Sequence, residues 1–385
     1  MSVSPETCSE IIRQFDAQGW HRTATPVDQD SGEWLVRQLA ALGLDAREVP
    51  FPFERVDPDE CVITIGEERI PAVPLVDSGL PASGTVVRGT FGAAGTPATL
   101  ALVRTSAHGM APEVEAVRDA GHVAIVAAVS GAPGGASLLN AWKFDSPSGP
   151  PIVQVAGEAW ERLERARASN ASIEIRCGAS RTKTAANNIR AVVPGSVPGS
   201  APLVVLTPRS GWWHCAGERG GGIAIWLEVA RLVRAAGFRR DVVFLATTGH
   251  ELGFLGAERY LDEQPEFAAR AKAWIHLGAN IGAAQSSLMV RASDAELFEL
   301  ARTARALATL ETPPQFVVAE NPVGEAGVVG RLGGRFISFV GAGFPLFHST
   351  LDRWPEAINP AAIAAAGNAV FEMLSALDGN GATPG

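Results

Sequence analysis

The chain has little charge, few cysteines and no long apolar run. Only 19% of its residues are charged, and the balance is acidic, with a formal net charge of −9 at pH 7. No basic run or basic amphipathic helix offsets that balance. Phosphate and anionic lipid headgroups are therefore not attracted, and neither nucleic acid nor a membrane is an expected partner. The four cysteines, Cys8, Cys61, Cys177 and Cys215, are scattered, with no CxxC pairing. That spacing marks neither a zinc ribbon nor a disulfide framework and fits a reducing compartment. The stretch MSVSPETCSEIIRQFDAQGW lacks the basic start and apolar segment of a secretory signal, and no window approaches ~18 consecutive apolar residues. A cytoplasmic location is the expectation. What the chain does have is core material. With 46% hydrophobic residues over 385 positions, it suits two domains or one large domain with an insertion.

The texture changes twice along the chain. Residues 1–60 carry two helical patterns. One spans residues 5–18, with Ile11, Ile12 and Phe15 on one face. The other carries Trp34, Leu35, Leu39 and Leu42, is capped by Asp30 or Ser31, and stops at Gly43. Residues 61–177 alternate short β-type runs (CVITIGEERIPAVPL, GTVVRGTF, ATLALVRT, HVAIVAAV, PIVQVA) with Gly, Pro and Ser clusters. Two short helical patterns, APEVEAVRDAG and EAWERLERARA, interrupt them. This reads as a β-rich module inserted after the N-terminal helices. From residue 178 the pattern is regular α/β. NNIRAVVPG, PLVVLTP, DVVFLATT, AKAWIHLGA and RFISFVGAG read as strands. GGGIAIWLEVARLVRAAG, DAELFELARTARALATL and residues 359–377 read as helices. Such alternation predicts a doubly wound, mostly parallel sheet covered by helices on both faces. No internal repeat is present.

The stretch DVVFLATTGHELGFLGA, residues 241–257, is placed by position alone to carry chemistry. Its apolar run reads as a buried parallel strand. It then delivers His250 and Glu251 where the strand gives way to a turn, the place where open α/β sheets collect ligands and catalytic groups. His214, His276 and His348 also fall at or after predicted strand ends. Glu218, Glu325 and Asp352 lie in the same loops. HELGF is not the HExxH zinc helix, because Phe254 stands at the second histidine position. GERGGG matches neither GxGxxG nor GxxxxGK, so its glycines read as a tight turn into the following helix.

The order of these pieces resembles the co-catalytic zinc aminopeptidase family, which includes bacterial leucyl aminopeptidases, glutamate carboxypeptidases and the transferrin receptor. HRTATP and WLVRQLAALGL are similar to its opening helices, and residues 61–177 to its protease-associated domain insertion. NNIRAVVPG, PLVVLTPRSG, GERGGGIAIWLEVAR, VVFLATTGHELGFLGAERYL and FPLFHSTLDRWPEAI follow its motif order, with LEVAR and HELGFLGAERY the most specific parts.

The family binds two zinc ions through a His, a bridging Asp, a Glu, an Asp and a late His, with a second Glu as general base. This chain departs from that set. The first His falls on Pro208, the Asp two residues later on Ser210, and the later Asp on Gly278. The bridging Asp becomes Glu218, and the base becomes His250. Glu251 and His348 match their ligands. The resemblance thus implies one zinc ion or none, with Glu218, Glu251 and His348 as the ligands of any ion. His250 and Glu251 would form the catalytic pair, with His250 activating water and its imidazole kept neutral by the metal.

Arg209, Ser210, Trp212, Trp213, His214, His276, Glu325 and Asp352 are the residues expected to shape a pocket for a small-molecule or short peptide-like substrate. Three readings stay open. One is a metal-dependent amide or peptide hydrolase. Another is a non-catalytic binding protein on the same fold. The last is a metal-free acyl-transfer or cyclase-type enzyme using Ser210 or Cys215. The usual amine-holding Glu is absent, which favours a substrate without a free amine.

Overall fold

Four apolar runs build the centre of the molecule. The computed structural model describes residues 1–96, 98–319 and 322–379. Its eight-stranded sheet consists of β1 (Ala46–Pro58), β2 (Ala179–Val193), β3 (Leu203–Pro208), β4 (Val242–Thr247), β5 (Ala273–Leu277), β6 (Ser287–Ala292), β7 (Gln315–Val318) and β8 (Phe336–Ala342). Their spatial order is β1-β2-β4-β3-β5-β8-β6-β7. Strands β4, β3, β5 and β8 run parallel, with antiparallel partners β2 and β6 on either side.

Every residue of β3, β4 and β5 is buried, as parallel strands covered on both faces require. Leu203, Val205, Phe244 and Ile275 join the core formed with the helices Pro5–Asp16, Gly220–Ala236 and Pro360–Asp378. Their alternates Val204, Leu206, Val243, Leu245 and Trp274 pack against Tyr260, Phe267 and Val328, from the helices Leu255–Asp262, Glu266–Arg270 and Glu325–Arg331. The period-2 alternation of each strand thus feeds two separate helix layers. The helix Pro360–Asp378 is long and apolar enough to cross a membrane by length and composition. Here Ile363, Val370, Met373 and Leu374 are fully buried in the protein core.

Between β1 and β2 the chain forms a closed barrel of seven short strands, running from Cys61–Ile65 to Ile173–Arg176. It has its own core around Ile63, Leu100, Val126, Val153 and Ile175. Strands β1 and β2 pair along thirteen residues, Ala46–Pro58 against Ala191–Ala179, and form the stalk on which the barrel sits.

Two sequence expectations shift. The second helix begins at Pro26, not after Asp30 or Ser31. Thr25 is its cap, and Asp28 turns back to accept the Ala24 N–H at 2.8 Å. Proline's fixed φ suits the first helical position, so Asp30 and Ser31 lie inside the helix. The long helix expected from residue 294 stops at Arg302, where Thr303 Oγ1 donates back to the Leu300 carbonyl. The chain then continues as a 3₁₀ turn, Arg305–Thr309.

Candidate functional site

The carboxyl ends of β4, β5 and β8 open onto one cleft of about 400 Å³. The insertion closes its far side with the loop after its Thr99–Ser106 strand, through His108 and Met110. Trp142, Phe254, Met289, Val340 and Phe347 make the cleft largely apolar. His250, His276, Asn140, Asn280 and Arg291 supply its polar groups. Among the described residues no Asp or Glu lines it. Phe254 and Asn280 hold left-handed backbone, φ 63° and 62°, a strain that surrounding structure must enforce.

His250 is the group best placed for chemistry. Gly249, at φ 78°, makes the turn that ends β4 and starts the short 3₁₀ segment His250–Leu252. The ring lies 2.8 Å, through Nδ1, from Glu325 Oε1. The other Glu325 oxygen faces His276 Nε2 at 3.1 Å, and His276 Nδ1 lies 2.8 Å from Ser338 Oγ. A carboxylate only accepts, so both imidazoles donate to Glu325, and the Ser338 hydroxyl donates to His276. The same logic leaves His250 Nε2 as a bare acceptor, with no protein partner among the described residues. Burial pushes the Glu325 carboxyl up, but the two imidazoles outweigh it and hold it well below the usual range. Burial lowers the His250 pKa and the Arg219 charge lowers it further, against the opposing pull of Glu325. The result is a neutral, oriented base facing an apolar cleft.

The expected metal ligands do not line this cleft, and the three do not all converge on one point. Glu251 is fully buried, with Oε1 accepting from Thr23 Oγ1 at 2.5 Å and Oε2 from Ser210 Oγ at 2.7 Å. Glu218 Oε1 lies 2.7 Å from Arg219 Nη2 and 3.3 Å from His348 Nε2. His348 donates through Nδ1 to the Leu138 carbonyl at 2.7 Å, leaving Nε2 turned to Glu218. Burial raises the Glu218 pKa, but Arg219 and His348 dominate and bring it to about 2.

Among the described residues no group of three or more His, Cys, Asp or Glu side chains is arranged to hold a metal. Of the expected ligands Glu218, Glu251 and His348, only Glu218 and His348 face each other, and a guanidinium stands against the Glu218 oxygen between them. As arranged here, this donor set does not fit a divalent ion. At Gly278, an added Cβ would stand 2.9 Å from His276 Cε1. The imidazole thus takes the space an aspartate there would need.

Most of the remaining expected pocket residues turn out to be scaffold. Arg209 is fully buried, paired with Asp28 at 2.7 Å and donating to the Asn187 carbonyl. Ser210 donates to Glu251 and accepts from the Gly249 N–H at 2.8 Å, so its hydroxyl has no route to the cleft. Trp212 is buried away from it, and Trp213 donates to the His348 carbonyl. His214 bonds the Asp16 carbonyl on the opposite side of the loop. Asp352 accepts from the Gly217 and Glu218 N–H groups, and burial pushes its carboxyl up to about 8. Cys215 is buried, and burial together with Glu218 raises its thiol well above the ordinary value. Ser210 and Cys215 are both buried, and neither lines the cleft.

Of the expected residues only His250 and His276 reach the cleft, with Glu325 directly behind them. Asn140, Trp142, Asn280, Arg291 and Arg219 carry no motif, and sequence reading passed over them. Arg219 alone left a signal, an arginine wedged between a glutamate and three glycines at the start of a buried helix.

Residues 207–373 match the model of peptidase family M28. No curated protein matches the chain. Among solved structures, the fold is similar to BSAP, a zinc aminopeptidase from Bacillus subtilis, at 18% identity and TM-score 0.81, covering 97% of this chain and 95% of that one. It is also similar to an aminopeptidase from Aneurinibacillus sp. strain AM-1, at 16% identity and TM-score 0.73, covering 97% and 94%. A glutaminyl cyclase from an Acidobacteriales bacterium superposes at 10% identity and TM-score 0.55, covering 99% and 97%.

Proposed function

We propose, for a chain that belongs through residues 207–373 to peptidase family M28, that it hydrolyses an amide bond in a small peptide-like substrate with His250 as general base. The observation carrying this reading is the Glu325–His250 contact of 2.8 Å, which leaves Nε2 open to the cleft. Water held at Nε2 attacks the substrate carbonyl while the imidazole takes its proton. The Glu325 carboxylate stabilises the resulting imidazolium, and the proton then passes to the leaving nitrogen. Asn140, which also lines the cleft, is the candidate donor to the developing oxyanion. No step is routed through a metal.

The cleft also supports a substrate class. Arg291 lines it with no carboxylate partner among the described residues; its Nε contacts only Met289 Sδ, at 3.2 Å. A cleft holding a cation and no described acid favours a substrate carboxylate and has nothing to hold a free amine. N-acyl amino acids and short N-blocked peptides meet that description. The test is turnover of N-acetyl amino acids and N-acetyl dipeptides in the presence of a chelator. The reading expects hydrolysis that His250→Gln abolishes, with no hydrolysis of aminoacyl p-nitroanilides. Turnover unaffected by His250→Gln sinks it.

A second reading has its own observation. Pro208 and Gly278 stand at positions where the resemblance places metal ligands, and Arg219 stands against Glu218, which supports a binding protein on the same fold. Quenching of Trp142 by N-acetyl dipeptides, retained in His250→Gln and without turnover of any blocked substrate, would decide for it.

A further inference from the structure

The Arg219 side chain is fully buried directly below the cleft. It precedes the first turn of Gly220–Ala236, and the three glycines that follow let that helix press against its neighbours. A Cβ on Gly220 would crowd Ile12, and one on Gly221 would strike the Ile281 carbonyl. This close docking holds the guanidinium inside the protein, with Nε donating to the Ser210 carbonyl at 2.7 Å. Nη2 lies 2.7 Å from Glu218 Oε1, yet neither Nη1 nor Nη2 makes a well-formed hydrogen bond, and neither does Glu218 Oε1 or His348 Nε2. Four orphaned polar atoms therefore meet at one point: a cation, an anion and an imidazole lone pair. Glu218, Glu251 and Asp352 are buried around it, and a cluster of buried carboxylates needs a counter-charge.

We propose that Arg219 is a resident cation standing in for the metal of this site, and that the site excludes divalent ions because its positive charge is built into the chain. The guanidinium is permanently charged and planar, able to face Glu218 without displacing the His348 ring. It faces only one carboxylate oxygen and one imidazole, while both oxygens of Glu251 are held by Thr23 and Ser210. A divalent ion entering here would meet a fixed positive charge and too few free donors. This inference is separate from the hydrolase reading, because its readouts are metal content and melting temperature and need no turnover.

The experiment measures zinc by mass spectrometry in protein purified without chelator, then follows zinc chloride by calorimetry and thermal melting, for wild type, Arg219→Asn and Arg219→Lys. Wild type and Arg219→Lys are expected to hold less than ~0.1 equivalent and to show no zinc heat. Arg219→Asn is expected to melt lower in buffer and to regain melting temperature on adding zinc, through Glu218 and His348. One equivalent of zinc bound by wild type and lost in His348→Ala overturns the proposal, and this arm requires no destabilised variant. A folded Arg219→Asn protein that ignores zinc overturns it as well.

Discussion

At the scale of single residues, the site is decided by which nitrogen or oxygen each side chain has left over. His250 has spent Nδ1 on Glu325, so only Nε2 remains for chemistry. Replacing Glu325 with Gln removes the negative charge that supports the imidazolium and leaves one acceptor oxygen where two imidazoles donate. Turnover is expected to fall by about 10²–10⁴-fold, measured as kcat on whichever blocked amide the panel identifies. The same contact makes a prediction in pH. Burial and Arg219 both lower the His250 pKa. The acid limb of kcat/KM, where the base becomes protonated, should therefore lie below the ordinary imidazole value of ~6.5. Glu325 opposes that lowering, so Glu325→Gln should move the limb further to acid while kcat drops. Arg291→Gln is expected to raise KM for carboxylate-bearing substrates and to leave their amides unchanged.

At the scale of elements, the start of the helix Gly220–Ala236 matters most. Alanine normally favours a helix over glycine by about 1 kcal/mol. Here the sign reverses, because a Cβ on Gly221 meets the Ile281 carbonyl and one on Gly222 meets Thr207 Oγ1. Gly221→Ala should cost about 1–3 kcal/mol, the usual penalty for overpacking, read from urea unfolding. GERGGG was read from sequence as a tight turn into a helix, and close docking gives that reading its physical basis. The loops beside it were legible only in part. His214 and His276 looked equivalent, each near a strand end. Yet one faces Asp16 outside the cleft and the other faces Glu325 inside it. Strand position fixes which end of the sheet a residue reaches, but not where its loop turns the side chain.

For the whole molecule, the joints between layers carry the stability. His21 stacks on Phe15 with ring centroids 3.7 Å apart, and its Nε2 lies 3.1 Å from the Phe15 carbonyl. Burial pushes its pKa down to about 3, with Arg209 adding to the effect. A histidine lowered this far is neutral in the folded state, while the unfolded chain takes up a proton below ~6.5. Stability is therefore untouched above pH 6.5 and falls as pH drops from there toward 3, by about 1.4 kcal/mol per unit at full slope. Glu218, at about 2, adds acid lability only below its own unfolded value of ~4.3. Between pH 6.5 and 4.5 the buried Asp352, pushed up to about 8, works in the opposite direction, so the His21 contribution is read as a difference between two proteins. Across that window the urea midpoint of the protein should fall relative to that of His21→Phe, which keeps the stack without the titrating ring. The barrel adds a functional joint, since His108 and Met110 close the cleft. His108 stacks on Phe347 at 5.1 Å. His108→Ala should change KM with little change in melting temperature, because the contact is peripheral to both cores.

The sequence by itself determined the central parallel strands, the helices over them and the strand end where His250 emerges. Those follow from local patterns, namely apolar runs, helical spacing and glycine turns, and each is written in neighbouring residues. Only the tertiary structure decided what His250 is bonded to there. Its partner Glu325 lies 75 positions away, Thr23 reaches Glu251 across 228 positions, and His348 meets Leu138 across 210. Motif order alone placed Glu218, Glu251 and His348 together as ligands. The folded chain keeps Glu218 and His348 within 3.3 Å of each other, but hydroxyls already satisfy Glu251 and a buried guanidinium stands against Glu218. Residue type sets what a side chain can bind. What it has left to bind depends on the neighbours that folding brings to it.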